Sequence, residues 1–186
     1  MNRLARIQKS AGFTLIEMLI VLLIAAILLS AAVPAYQGQV QSGRMSAASR
    51  DMLSNLMSAK SESVARNEFV TVCKRNTTAT GCLASGDWGQ GWVSFIDADG
   101  DGAFEVGDEI IQVHDALPNT LTARATAQIQ NRITFRPNGQ THFTGTQTIV
   151  VCDENGFGDK ARAVVISVIG KVSILPGNES GQADCL

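Results

Sequence analysis

Apolar residues follow two different patterns along the chain. From Met18 to Val33 every residue except Ser30 is apolar, and residues 13–16 extend this segment to about 21 residues. At about 1.5 Å per residue, the segment predicts a helix as long as a hydrocarbon core of about 30 Å. One carboxylate, Glu17, lies inside it.

The helical pattern continues beyond the apolar segment to about residue 67. Apolar positions recur at three and four residues, which predicts an amphipathic helix with one buried face. The positions of this stripe are Met45, Ala48, Met52, Leu56 and Ala59, widened by Leu53, Met57 and Val64.

From Phe69 onward the period changes to two and turn residues become frequent, which indicates β-strands. Pro137-Asn138-Gly139 predicts a tight hairpin turn, and Gly170 predicts a second turn or a bulge. The predicted strands are 70–74, 91–97, 109–115, 121–125, 130–136, 140–144, 147–153, 162–169 and 171–175. The fold class is therefore α+β, with antiparallel sheets packed on the second half of a long helix.

The carboxylate of Glu17 needs a partner, because a charge inside a membrane segment costs a few kcal/mol. Cleavage between Gly12 and Phe13 creates an α-amino group four residues before Glu17, and this cation can reach the same carboxylate in a neighbouring subunit. The alternative is a plain anchor or signal peptide, in which Glu17 has no role.

The segment Gly12-Phe13-Thr14-Leu15-Ile16-Glu17, followed by an apolar run, resembles the processing signal of type IV prepilins and type II secretion pseudopilins. The resemblance implies that prepilin peptidase cuts after Gly12, that Phe13 becomes N-methylated, and that Glu17 acts in assembly. It also implies a helix kink at Pro34. The leader carries three basic residues and no acid, so the positive-inside rule keeps it in the cytoplasm.

Later segments resemble the GspH and FimT/FimU minor pilins, among them residues 88–93, 133–139 and 161–165. The resemblance implies a type IV pilin fold with a cytoplasmic leader (1–12), a membrane-spanning assembly helix (13–34), an amphipathic half-helix (35–67) and a β-rich periplasmic domain (68–186). It implies an inner-membrane protein that joins a pilus or pseudopilus. Its expected partners are minor pilins, the major pilin, prepilin peptidase and the inner-membrane assembly platform.

Three functions remain open at this level. The first is a minor pilin of the priming tip complex, the second a GspH-type pseudopilin of type II secretion, and the third a FimT-like DNA-binding pilin. For the third, the resemblance implies Gly-Arg-x-Arg near the C-terminus, whereas this chain has Gly170-Lys171-Val172-Ser173. The remaining DNA-binding candidates are Arg162 and Lys171, in a mature chain with twelve basic and seventeen acidic residues.

All four cysteines lie in the part that this topology exports to an oxidising compartment, so disulfides are expected. Proximity in sequence favours Cys73 with Cys82 and Cys152 with Cys185. No CxxC pair or nearby histidine supports a zinc site instead.

Residues 97–102, Asp-Ala-Asp-Gly-Asp-Gly, resemble the start of a calcium-binding loop. The ligands would be Asp97, Asp99, Asp101 and Asp108, although the EF-hand pattern places a longer Glu where Asp108 stands. The alternative is that these acids bind only the local backbone. Calcium is the one candidate cofactor.

No catalytic constellation is recognisable in the sequence. His114 and His142 are the only histidines, both on predicted strands, and neither belongs to a Ser-His-Asp, Cys-His or HExxH pattern. We therefore expect a structural protein and not an enzyme.

Overall fold

The computed structural model describes residues 12–76, 81–129, 131–153 and 160–177. It contains one long helix, α1, from Leu15 to Arg66. By its contacts the chain divides into two compact units, Met1–Val40 and Gln41–Leu186. The predicted helix and its end near residue 67 are confirmed.

In the first unit, α1 begins directly after Thr14, whose hydroxyl accepts a hydrogen bond from the Glu17 backbone amide at 3.3 Å. The large apolar side chains from Leu15 to Val33 are exposed. The helix contains an 18-residue window with a mean hydropathy of 2.8, long and apolar enough to cross a membrane. The helix assignment continues through Pro34, and the kink at this residue stays a prediction.

In the second unit, the end of α1 is determined by local geometry. Asn67 adopts a positive φ of 57°, and the Glu68 amide donates to the Ser63 carbonyl at 3.2 Å. This is the Schellman arrangement, which satisfies a carbonyl of the last helical turn. Arg66 then pairs with Glu62 on the helix and with Glu109, both at 2.8 Å.

Eight strands form two antiparallel four-stranded sheets among the described residues. The first sheet has the order β3-β2-β1-β5 and the second has the order β4-β6-β7-β8. The strands are β1 (Val70–Lys74), β2 (Trp92–Ile96), β3 (Ile110–His114), β4 (Leu121–Ala125), β5 (Arg132–Phe135), β6 (Gln147–Asp153), β7 (Arg162–Ile166) and β8 (Val172–Pro176).

One main core joins the second half of α1 to both sheets. Its members include Met52 and Leu56 from the helix, and it also takes buried apolar side chains from six strands and from the loops. This packing confirms the α+β prediction. A smaller cluster on the first sheet contains Cys73, Val93 and Phe95. Because side chains alternate along β1, Cys73 lies on the face opposite the core residue Val72.

Two predicted turns are confirmed. Gly139, with φ 75°, donates its amide to the Arg136 carbonyl at 2.7 Å, and Gly170, with φ 68°, donates to the Ser167 carbonyl at 2.8 Å. The two turns touch, since a Cβ added at Gly170 would lie 2.1 Å from the Gly139 carbonyl oxygen. Only glycine fits this position.

The structure contradicts one predicted strand and part of the predicted buried face of α1. Residues 140–144 form no strand, because the Thr141 amide bonds to the Val168 carbonyl and only an isolated bridge joins Thr141 to Phe135. His142 therefore does not lie on a strand either. The buried stripe of α1 also differs from the expected one, since the side chains of Met57 and Val64 are exposed. The buried face of α1 instead includes three polar side chains, those of Ser49, Asn55 and Ser63.

Candidate functional site

The start of α1 presents an isolated carboxylate on an apolar surface. Glu17 and Phe13 are both exposed, and the Glu17 carboxylate has no salt-bridge partner among the described residues. Residues 1–11 lie outside the described residues, so cleavage after Gly12 and methylation of Phe13 stay predictions. Chemically, this surface offers an acceptor for a cation supplied by another chain.

The predicted disulfide between Cys73 and Cys82 is present, with Cα atoms 5.5 Å apart. It ties the end of β1 to the segment that follows, where the Leu83 amide also donates to the Lys74 carbonyl at 2.9 Å. The second predicted pair, Cys152 with Cys185, lies outside the described residues because Cys185 does.

The acidic loop, residues 97–109, connects β2 to β3, and Asp97 organises its first half. Asp97 is only 1% exposed and accepts hydrogen bonds from the Gly100 amide at 3.1 Å, the Gly102 amide at 3.0 Å and the Thr71 hydroxyl at 2.6 Å. Burial raises the pKa of Asp97, and the nearby Asp99 side chain raises it further, whereas the bonds from Thr71 and Gly102 lower it.

The loop gathers three of the four predicted calcium ligands. Oxygens of Asp97, Asp99 and Asp101 lie within 4.8 Å of one another. Asp108 is not part of this group and accepts a hydrogen bond from the Glu105 amide at 2.7 Å. Carboxylate oxygens are the ligands that calcium prefers, so the three acids can contribute to a site.

The same acids also bind the local backbone, as the alternative reading expects. The Asp101 amide donates to Asp99 at 3.3 Å, and the Ala103 amide donates to Asp101 at 2.6 Å. Strands flank the loop on both sides, as predicted. Calcium binding stays a prediction, now restricted to three acids.

The structure separates the two predicted DNA-binding residues. Arg162 pairs with Pro176 at the open end of the β7–β8 hairpin, whereas the Lys171 amide bonds to the Ser167 hydroxyl beside the turn. Five residues of extended chain correspond to about 16 Å. Arg162 and Lys171 therefore do not form one patch.

Sequence reasoning missed a buried cation. Lys74 is 2% exposed, and its ammonium group donates to the Gly86 carbonyl at 2.8 Å. Burial lowers the pKa of Lys74, and the charge of Asp87 opposes this change. Lys74 lines a cavity of about 480 Å³ together with Asp87 and Arg124. No sequence signal marks Lys74, because alternation along β1 does not show which neighbours cover each face.

His142 is a further titratable group whose surroundings shift its pKa. Its Nδ1 accepts a hydrogen bond from the Thr134 amide at 3.0 Å, which requires an unprotonated nitrogen. Partial burial lowers the pKa of His142, and the positive charges of Arg132 and Arg136 lower it further. His114 instead stacks on Trp92, with ring centroids 3.9 Å apart. Its ring nitrogens also lie near the Asp115 carbonyl oxygen, 2.7 Å from Nδ1, and the Asp51 carboxylate, 3.6 Å from Nε2.

Comparison with known structures identifies the same fold in pilins. The chain is similar to two crystal forms of the type IV minor pilin FimU of Pseudomonas aeruginosa. In the first, the TM-score is 0.61 and the identity 23%, with 78% of this chain and 98% of that chain covered. In the second, the TM-score is 0.57 and the identity 24%, with 76% and 99% covered.

A weaker similarity links the chain to the minor pseudopilin EpsH from the Type 2 Secretion System of Vibrio cholerae. Here the TM-score is 0.49 and the identity 12%, with 73% of this chain and 99% of that chain covered. A search of curated protein sequences found no significant match.

Two family profiles match the sequence itself. The prokaryotic N-terminal methylation motif matches residues 7–33, which contain Gly12, Phe13 and Glu17. The profile described as type II transport protein GspH matches residues 48–170. This second match covers more than half of the chain, and the fold agrees with it. The chain therefore belongs to the GspH family of pilin-like proteins.

Proposed function

We propose that this protein is a minor type IV pilin, a structural subunit of the tip complex that primes pilus assembly. In this role it supports the activities of the pilus, such as twitching, adhesion and DNA uptake. The observation that carries the proposal is the exposed Glu17 carboxylate on an apolar helix, within a segment that matches the N-terminal methylation motif.

The proposed mechanism uses the energetic cost of this carboxylate. The subunit is stored in the inner membrane, where a charge inside the apolar segment is unfavourable. Prepilin peptidase removes residues 1–12, and the amine of Phe13 in a neighbouring subunit then pairs with Glu17. Pairing offsets the desolvation of both charges only when their geometry is good, so it also selects the axial register of the subunits.

The proposed topology places the leader in the cytoplasm and the β-rich domain in the periplasm. Three basic residues in the leader support this orientation, and the Cys73–Cys82 disulfide is typical of an oxidising compartment. The partners are other minor pilins, the major pilin and the assembly platform. The role is structural and not enzymatic, as in the pilin family to which the chain belongs.

A second candidate is a pseudopilin of the type II secretion system. It is favoured by the description of the matching family as a type II transport protein. The same Glu17 mechanism serves both machines, so assembly geometry does not separate them. DNA binding has less support, because Arg162 and Lys171 lie at opposite ends of their hairpin.

The test is a count of surface pili in a strain that lacks this gene, with and without the retraction motor. A priming subunit predicts that pili disappear in the deletion strain and partly return when retraction is blocked. Unchanged pili in both backgrounds would contradict the proposal. Loss of a secreted substrate from the medium, with normal pili, would support the pseudopilin candidate.

A further inference from the structure

The outermost strand of the first sheet carries exposed aliphatic side chains. In β3, both Ile110 and Val113 are 41% exposed. Their register partners on β2 are Phe95 for Ile110 and Val93 for Val113, and both partners are buried. Because paired residues project to the same face of a sheet, Ile110 and Val113 extend this buried cluster to the surface.

The cluster beneath these side chains is held by several independent contacts. It contains Cys73, Val93 and Phe95, with Cys82 and Phe104 packed against it. The Cys73–Cys82 disulfide crosses it, and the ring of Phe104 meets that of Phe95 edge-on at 5.1 Å. Ile110 and Val113 therefore pack on a cluster that is already ordered. A partner that binds them does not pay the entropy cost of ordering a flexible loop.

Acidic residues flank β3 along the chain on both sides. The acids just before and after β3 are Glu105, Asp108, Glu109 and Asp115. Among the described residues, salt bridges join two of them to arginines, Glu109 to Arg66 and Asp115 to Arg75. These four acids are called the acidic rim, and with only two arginine partners the rim has a net negative charge. This charge favours a partner with Lys or Arg around its own apolar residues.

The edge is not shaped for strand addition. The register between β2 and β3 shifts between Ser94 and Phe95, which places a bulge in the pair. Bulges and charged residues are devices that keep an edge strand from pairing with another chain. A partner therefore meets this surface through side chains.

We propose that the β3 surface, formed by Ile110, Val113 and the acidic rim, is a docking site for the globular domain of a neighbouring pilin subunit. The partner presents exposed aliphatic side chains with Lys or Arg around them. This inference rests on the proposed function, in which subunits stand side by side in a fibre. The inference adds two things to the proposed function: the face of the domain that contacts a neighbouring subunit, and the chemistry of the surface that covers this face.

The test uses the full chain in cells that assemble fibres. A photo-crosslinking amino acid replaces Val113, and in a matched variant it replaces Leu175, which is 38% exposed and lies on β8, the edge strand of the other sheet. Sheared fibres are irradiated and the adducts are identified by mass spectrometry. The expected adduct at position 113 is a peptide of a pilin globular domain that contains Lys or Arg.

Charge variants of the rim complete the experiment. Glu105→Lys is expected to lower the adduct yield at position 113 by about two- to fivefold, the range of an exposed ion pair, and to leave the yield at position 175 unchanged. Glu105→Gln, which removes the charge but keeps the size, should give a smaller loss.

The outcomes separate this inference from the proposed function. Protein that enters the fibres but gives no adduct at position 113, or an adduct with a protein that is not a pilin, overturns the docking site and leaves the proposed function intact. Equal adduct yields with and without Glu105→Lys overturn the assigned charge of the partner. Protein that never enters fibres overturns both proposals.

Discussion

The hydroxyl of Thr71 lies 2.6 Å from the buried carboxylate of Asp97 and joins the centre of the first sheet to the acidic loop. The same hydroxyl lies 2.6 Å from that of Thr134 on β5. Residues far apart in sequence thus form one buried polar chain, with Asp97 holding the loop from inside. The loop therefore depends on Asp97 even without a metal ion.

Replacement of this carboxylate tests that dependence. Asp97→Ala should lower the free energy of unfolding by about 1–3 kcal/mol, because three donors would lose their buried acceptor. Unfolding of the full chain in detergent can be followed by the fluorescence of Trp88 and Trp92, the only tryptophans, both of which are buried. The matched variant Asp99→Ala, at an exposed position, should cost about 0.5 kcal/mol or less. Equal losses would contradict the role of Asp97.

The disulfide is expected to stabilise the second unit. In the chain-entropy model, a loop of nine residues contributes about 2.5 kcal/mol. The double variant Cys73→Ala and Cys82→Ala should therefore lower the free energy of unfolding by about that amount, again measured by tryptophan fluorescence. Each single variant should lose as much, since either one removes the bond. A double variant as stable as the parent would show that the bond is dispensable.

Glu17→Ala should still insert and be cleaved but should enter fibres poorly. A loss of only 1.4 kcal/mol of subunit pairing corresponds to a tenfold lower affinity, so we expect a decrease of about tenfold or more in sheared fibres. Immunoblots of membranes and sheared fibres measure the two pools. Ser30→Ala, also on the exposed part of α1, is the control and should incorporate normally. Normal incorporation of Glu17→Ala would rule out the pairing role.

His142 predicts a pH dependence of stability. Its pKa is lowered from 6.5 in the folded state, so the folded state binds fewer protons than the unfolded state between the two values. Its contribution to stability is complete above the unfolded pKa and is lost as pH falls through this window. Between about pH 7 and pH 5, His142→Gln should therefore lose less stability than the parent, measured as the free energy of unfolding by tryptophan fluorescence at each pH.

Calcium binding to the acidic loop is tested by unfolding with added calcium or a chelator. A bound ion stabilises the folded state by mass action, so calcium should raise the unfolding midpoint and the chelator should reverse the effect. Asp101→Ala, which keeps Asp97 in place, should abolish the shift. An unchanged midpoint in the parent would leave these acids with their backbone contacts alone.

Local patterns accounted for most of the secondary structure. The helix to about residue 67 and eight of the nine predicted strands agree with the structure, because periodicity and glycine turns are properties of neighbouring residues. The exception is 140–144, whose composition suits a strand. Its Thr141 amide instead donates to the carbonyl of Val168, on a turn far along the chain. Composition cannot show that a backbone donor is taken by a residue far along the chain.

The candidate sites divide in the same way. The N-terminal motif, the Cys73–Cys82 pair and the three acids at the start of the acidic loop were evident from the sequence, because each depends on residues a few positions apart. The separation of Arg162 from Lys171 depends on the register of the β7–β8 hairpin. The number of residues between Arg162 and Lys171 does not predict the distance between them, because a hairpin can bring two residues together or hold them at opposite ends.

The residue pattern alone established a helix long and apolar enough to cross a membrane, with the carboxylate of Glu17 inside its apolar segment, followed by a β-rich domain. The packing of the folded chain was needed to show that Lys74 is buried, that Ser49 and Asn55 are buried while Met57 is exposed, and that β3 lies at a sheet edge. The physical reason is that burial depends on which strands become neighbours, and this order is set by contacts between distant segments.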